Sequence, residues 1–171
     1  MDTSGLHGAS ERVAMITVEK SIVIDRRQED LFEYVSDHTN APLWQRGLLE
    51  VRRATEGPIG VGTRHTLIRM FMGRRMEASN EFTQYEPNRL VSFKVTSGSV
   101  AAQGWYVVET AGSDRARLTS RIEMRPSGLI RLAQPLMAAS LSREVEANLS
   151  DLKRLLEAKV EERSVPGKGL D

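Results

Sequence analysis

Residues 128–161 read GLIRLAQPLMAASLSREVEANLSDLKRLLEAKVE. Within them Ile130, Ala133, Met137, Leu141, Val145, Leu149, Leu152, Leu156 and Val160 recur at steps of three and four. That is the spacing of one face of an α-helix. Arg143, Glu146, Ser150, Lys153, Arg154, Glu157 and Glu161 fall largely off that face. The stretch predicts one long C-terminal helix, roughly 50 Å long at ~1.5 Å per residue, which exceeds the width of a small domain. Ser127 is placed to cap it, because a serine hydroxyl accepts from an orphan amide of the first turn. Pro135 predicts a kink, since it removes a ladder bond and crowds the preceding turn. The two halves differ. Before Ser142 the segment is apolar nearly all round (Leu129, Ile130, Leu132, Leu136, Met137, Leu141), whereas after it the pattern is amphipathic. The second half can lie on a core; the first must be covered on more sides, or must itself cover something apolar.

Upstream of this helix the period is two. Leu48–Thr55, Thr63–Met72, Arg74–Tyr85, Arg89–Thr96, Ala101–Thr110 and Ala116–Met124 each alternate. They are separated by Gly57-Pro58 with Gly60 and Gly62, by Gly73, by Glu86-Pro87-Asn88, by Ser97-Gly98-Ser99 and by Gly112-Ser113-Asp114. Such short turn-forming separators join antiparallel neighbours. Ile16–Asp25 predicts an earlier strand. Asp25 with Gln28 resembles a capping box, and Gln28–Ser36 predicts a short helix with Leu31, Phe32, Tyr34 and Val35 on one side. Asp37–Trp44, with Asn40 and Pro42, reads as a turn or a second short helix. The order implies an α+β domain: one curved antiparallel sheet with a long helix across its concave face.

Parity along each strand assigns the interior. Thr66, Ile68, Met70 and Met72 carry no charge, which places His65 and Arg69 on the outer face. Met76, Ala78, Asn80 and Phe82 oppose Glu77 and Glu81; Val91, Phe93 and Val95 oppose Ser92 and Lys94; Leu118, Ser120, Ile122 and Met124 oppose a run of arginines. In Ala101–Thr110, Tyr106 and Val108 compete with Trp105 and Val107. The inner face is thus apolar with a few neutral polar groups, a profile suited to a pocket of several hundred Å3 for a mostly apolar ligand. A solid core, with Ser120 and Asn80 bonded to backbone or buried water, satisfies the same pattern.

The 171 residues fit one domain, with 40% apolar and 27% charged side chains and a net charge of +1. That balance gives no steer toward nucleic acid or anionic membrane. The absence of cysteine excludes disulfides and thiolate chemistry. No apolar run reaches the ~20 residues that span a bilayer. Residues 1–14 read as a polar, disordered leader without the apolar core of a signal peptide, with Met15 an alternative start. Residues 163–171 read as a flexible tail, leaving 15–162 as the domain and the cytoplasm as the expected location.

Several local motifs stand in a characteristic order. They are the early strand leading into Glu29-Asp30-Leu31-Phe32, Trp44, Gly60-Val61-Gly62-Thr63 entering a strand, and Glu81 followed by Glu86-Pro87-Asn88-Arg89-Leu90. The last helix has a proline-containing apolar start and closes in Leu152-Lys153-Arg154-Leu155-Leu156-Glu157. From Ile16 to Glu161 the chain resembles the START-like helix-grip superfamily (SRPBCC), and within it the bacterial polyketide cyclase/dehydrase and lipid-transport branch. The resemblance implies a seven-stranded sheet gripping the last helix, with a cavity between them. It also implies binding of a hydrophobic small molecule (a lipid, polyketide or aromatic compound), with some members cyclases or dehydratases. By position the pocket wall would comprise Trp44, Met70, Met76, Asn80, Phe93, Tyr106, Ser120, Leu132, Leu136 and Ser140. Pro135 and Pro42–Trp44 would border its entrance. The protein would be a monomer or homodimer without nucleic-acid partner, membrane span, cofactor or metal.

Catalytic motifs are missing: there is no nucleophile elbow, P-loop, dinucleotide fingerprint or metal-ligand spacing. Gly60-Val61-Gly62 leads into a strand and is a turn. Asp37 and His38 are adjacent, and adjacent residues seldom face each other. Tyr106 is the one candidate catalytic group, able to polarise a bound carbonyl; a wall residue is the alternative. The stripe Arg115, Arg117, Arg121 and Arg125 is interrupted by Glu123 and reads as a solvated outer face.

Overall fold

The structure, a computed structural model, describes residues 15–71, 73–97, 101–125 and 134–164. The chain runs β1 (Ile16–Ile24), α1 (Gln28–Ser36), a 3-10 helix (His38–Leu43), β2 (Leu48–Arg53), β3 (Arg64–Phe71), β4 (Arg74–Glu86), β5 (Leu90–Ser97), β6 (Ala101–Thr110), β7 (Ala116–Arg125) and α2 (Gln134–Ser164). The seven strands form one antiparallel sheet of order β1-β7-β6-β5-β4-β3-β2. Consecutive strands from β2 to β7 are neighbours, as their short turns dictate. Only β1 departs from the meander: it closes the far edge against β7, pairing Ile16 with Met124 and Ile24 with Ala116. This is the helix-grip fold.

Along α2, Val145, Leu149, Leu152 and Leu156 are buried, at the helical spacing that the sequence shows. They pack with Ile16, Val18, Ile24, Leu31, Phe32, Val35 and the inner faces of β4 to β7. The apolar face supplies most of the adhesion. Polar contacts fix the register: Lys153 donates to the Val23 carbonyl at 2.6 Å, the Asp25 amide donates to Glu157 at 3.0 Å, and Arg46 pairs with Asp151 at 2.7 Å. One turn apart from the buried row, Glu146 reaches Lys20 on β1 and Glu144 reaches Arg69 on β3 at 2.9 Å. The helix therefore bridges strands near opposite edges of the sheet. These ion pairs are partly exposed, so each contributes at most about 1 kcal/mol.

Two expectations change, and one lies beyond the described residues. The capping box does not form: α1 starts after Arg27, which makes no side-chain cap, and the Asp25 amide is committed to Glu157. Gln28 instead bolts α1 to the sheet, donating to the carbonyls of Asn88 and Val108 and accepting from Thr110. Ser127 and the helix on the N-terminal side of Pro135, and hence the expected cap and kink, lie outside the described residues. On β3 the inner parity is the opposite of the expected one. The register pairs His65 with Asn80, Leu67 with Ala78 and Arg69 with Met76, so His65, Leu67 and Arg69 share the inner face. Thr66, Ile68 and Met70 share the other face, where Met70 is 40% exposed while Ile68 is buried at 5%, apart from the main core cluster; Met72 is outside the described residues. The reversal holds because two polar side chains on the inner face find partners: His65 bonds Asn80, and Arg69 reaches out to Glu144. On β6 the open choice resolves to Tyr106 and Val108 inside. Among the described residues, no helix is long and apolar enough to cross a membrane.

Candidate functional site

The interior has two ends. At one, Ile24, Ala116, Leu118, Val108, Val91 and Phe82 are fully buried beneath α1. At the other, the same inner rows become only partly buried: Met76 and Ala78 on β4, Phe93 and Val95 on β5, Ala102 on β6, and Ile122 and Met124 on β7. Facing them are Met137, Ala138 and Leu141 from the first turns of α2, also partly buried. Every side chain in that set is uncharged. Toward this end the apolar surface is only partly covered.

Between the two ends lies a layer of rings and polar groups. The 3-10 helix swings His38 inward, where its ring centre lies 4.6 Å from Phe82, 4.8 Å from Phe93 and 6.0 Å from Tyr106. Asp37 caps this turn, accepting from the Thr39 amide at 3.0 Å. Asn80 bridges two imidazoles: its amide oxygen is 3.1 Å from His65 Nδ1 and its amide nitrogen 3.2 Å from His38 Nδ1. His38 is 4% exposed and His65 is 1% exposed. His65, expected on the solvated face, is thus among the most deeply buried side chains, and His38 faces Asn80 and His65, not Asp37.

Burial sets the protonation. Loss of solvent, reinforced by the neighbouring His65, lowers the His38 pKa to about 3. Loss of solvent also lowers that of His65, against opposing contributions from the Asn80 bond and from Asp37. Both rings are neutral at pH 7. Tyr106 is buried, its pKa raised by desolvation, and its hydroxyl accepts from Gln45 Nε2 at 2.9 Å. It stays a neutral phenol that hydrogen-bonds readily and gives up its proton reluctantly.

Of the expected wall residues, Trp44, Asn80, Phe93 and Tyr106 meet in this layer. Trp44 and Tyr106 ring centres are 5.9 Å apart, and Phe93 and Tyr106 are 5.6 Å apart. Ser120 is buried on the inner face opposite Lys20. Met76 lies toward the open end. Met70 points away from it, Leu136 is 70% exposed and Ser140 is exposed, so these three do not join the layer. Leu132 lies outside the described residues. His38, His65 and Gln45 are the polar members that sequence reasoning left out. Three hollows open among the described residues, two of them away from this interior. One of about 430 Å3 lies behind Pro42–Arg46 against Asp151, Arg154 and Leu155. Another of about 1070 Å3 runs between α1 and the Pro87–Asn88 turn. The third, of about 180 Å3, lies at the rim of the open end, lined by Val95 and Ala102 together with Met15, Lys94, Glu123 and Arg125. Asn80, Phe93, Tyr106 and Ser120 line none of these three.

Gly104 fixes the position of Phe93. A Cβ built at Gly104 would stand 2.4 Å from Phe93 Cζ, so the ring lies flat on the glycine backbone. Gly104→Ala is expected to push Phe93 off β6 and cost about 1–3 kcal/mol. A drop in thermal midpoint of several degrees is the readout; an unchanged midpoint contradicts this packing.

Within the outer arginine stripe, Arg121 pairs with Glu19 and Glu123 and lies 5.8 Å from the Trp105 ring centre.

The model of a family described as polyketide cyclase / dehydrase and lipid transport matches residues 15–157. No curated protein matches the sequence. Among solved structures, the Zhui aromatase/cyclase from Streptomyces sp. R1128 superposes with a TM-score of 0.71 at 16% identity, over 92% of this chain and 100% of that one. A START superfamily protein from Mycobacterium smegmatis superposes with a TM-score of 0.63 at 14% identity, over 86% and 99%. The di-domain ARO/CYC BexL from the BE-7585A biosynthetic pathway gives a TM-score of 0.69 at 16% identity, over 82% of this chain. This chain spans 46% of that di-domain protein. At these identities the likeness concerns the fold.

Proposed function

The chain belongs to the polyketide cyclase / dehydrase and lipid transport family, and on that premise we propose that it binds an apolar small molecule at the open end of the sheet–helix interior. The observation that carries this reading is the gradient of burial. Phe93, Val95, Ile122, Met124, Met137 and Leu141 are apolar and only partly covered, and the charged groups nearest them on the inner face, Arg69 and Lys20, are paired with Glu144 and Glu146 of α2. Apolar surface left uncovered on a concave face is stabilised by an apolar occupant, at roughly 25 cal/mol per Å2 removed from water. Methionines at 76, 124 and 137 adapt their shape to varied ligands. We place the protein in the cytoplasm as a carrier or sequestering protein.

A thermal-shift screen with fatty acids, quinones, flavonoids and polyketides tests the reading. Stabilisation by at least one apolar class is expected; indifference to every class would overturn it.

The runner-up reading, a cyclase or dehydratase-like enzyme, is favoured by one observation. Tyr106, His38 and Asn80 form a polar layer directly beneath the open end, with Phe93 between. If it holds, bound polyketide is recovered chemically changed by wild-type protein and unchanged by Tyr106→Phe. Ligand returned intact by the wild type would end it.

A further inference from the structure

The Asn80 bridge constrains the two imidazoles to opposite tautomers. A primary amide offers one acceptor oxygen and one donor nitrogen. The ring bonded to the oxygen must carry its proton on Nδ1 and leave Nε2 bare. The ring bonded to the nitrogen must have a bare Nδ1 and carry its proton on Nε2. Turning the amide over exchanges the two rings but not the result. With both rings neutral, the couple always presents one N–H and one lone pair at its two Nε2 atoms. Both Nε2 atoms are buried without a partner among the described residues, an arrangement that costs about 1–3 kcal/mol per group.

The group that satisfies such a couple both donates and accepts. A hydroxyl does so with a single oxygen. A ketone answers only the N–H, and a carboxylate sets its charge against the bare lone pair. The ring centres are 5.1 Å apart, and one hydroxyl oxygen making two hydrogen bonds of about 2.8 Å at its tetrahedral angle spans about 4.6 Å. Phe93 is the partition: its ring packs 4.8 Å from that of His38 and against the Gly104 backbone, and it is itself only partly buried.

Building on the ligand-binding reading above, we propose that His38 and His65 form a hydroxyl-binding site. They take the hydroxyl of an otherwise apolar alcohol or phenol whose body lies in the open end, once Phe93 turns aside. Trp44 Nε1, also buried without a partner among the described residues, adds a second donor on the same layer.

Two measurements decide it. Long-range 1H–15N correlation spectra of the wild-type protein at pH 7 are expected to show His38 and His65 as opposite tautomers; the same tautomer at both positions overturns the proposal. Affinities for 1-naphthol, 1-methoxynaphthalene and naphthalene are then compared. 1-Naphthol is expected to bind about tenfold more tightly than the other two. That preference should vanish in His65→Phe and persist in Phe93→Ala, where the partition is gone. Equal affinity for all three overturns the hydroxyl site and leaves the apolar-ligand reading standing. No binding of any of the three overturns both.

Discussion

Phe82→Ala is expected to lower the stability by about 3–5 kcal/mol. Phe82 is 0% exposed and stands at the centre of the ring layer. Its centroid is 4.6 Å from that of His38, 5.2 Å from His65 and 6.5 Å from Tyr85. Its backbone is held as firmly as its ring: the Phe82 amide donates to the Thr63 carbonyl and its own carbonyl accepts from Gly62, both at 2.9 Å. The turn Gly60–Thr63 is itself closed by the Thr63 hydroxyl. The site therefore cannot collapse when the ring is removed, and uncollapsed sites lie at the costly end of large-to-small substitutions. Phe82→Leu keeps most of the volume and is expected to cost less than half as much. Urea denaturation at pH 7 reads both. A loss under about 1 kcal/mol for Phe82→Ala would mean that the layer is looser than the ring distances imply.

Acidification is the second large effect. The folded pKa of His38 is about 3, below the ordinary 6.5 of an unfolded histidine, so between those values the unfolded chain binds the extra proton. Stability contributed by the neutral buried ring is fully present above pH 6.5 and is lost as pH falls through the window toward pH 3. The shift corresponds to a loss of about 3–5 kcal/mol across the window. His65 shifts in the same direction and adds to it. Asp37 and Arg53 act on His65 with opposite signs, so neither removes the trend. Asp151 and Glu50, whose pKa values are lowered by Arg46 and Arg52, titrate with the same sign near the lower end. A variant isolates the imidazole. His38→Gln is expected to flatten the profile between pH 6 and pH 4 while leaving the carboxylate limb in place. A variant profile parallel to wild type throughout would show that His38 does not carry the acid sensitivity.

The extent to which the fold was legible follows from which forces act locally. Turn chemistry and period-two patterning are local, and the strands fall within a residue or two of their expected bounds: Ala101–Thr110 is recovered unchanged and Leu48–Thr55 ends at Arg53. The buried face of α2 was legible for the same reason, since Val145, Leu149, Leu152 and Leu156 sit at helical spacing. The parity of β3 was not legible from its own residues. Thr66, Ile68 and Met70 are the less polar row, yet they lie on the outer face, where Ile68 is buried in register with Glu50 and Glu77. The signal that would have corrected it lies in the hairpin. The ladder pairs Phe71 with Arg74, and counting back along it sets His65 opposite Asn80, which parity assigns inward. His38 had no such signal. It reaches the interior because of how the 3-10 helix crosses the sheet, and nothing in Asp37-His38-Thr39 foretells that crossing. The exposure of Leu136 and Ser140 likewise depends on how far α2 stands off the sheet, which helical periodicity does not encode.

The central claim is that the open end of the interior receives an apolar molecule. Methyl-selective NMR during titration with naphthalene tests it most directly. The methyl signals of Met76, Ile122, Met124, Met137 and Leu141 are expected to shift together and to saturate with one dissociation constant. Leu43 and Leu155, beside the separate hollow behind Pro42–Arg46, are expected to stay still. Silence from the first set, or movement confined to Leu43 and Leu155, would contradict the account.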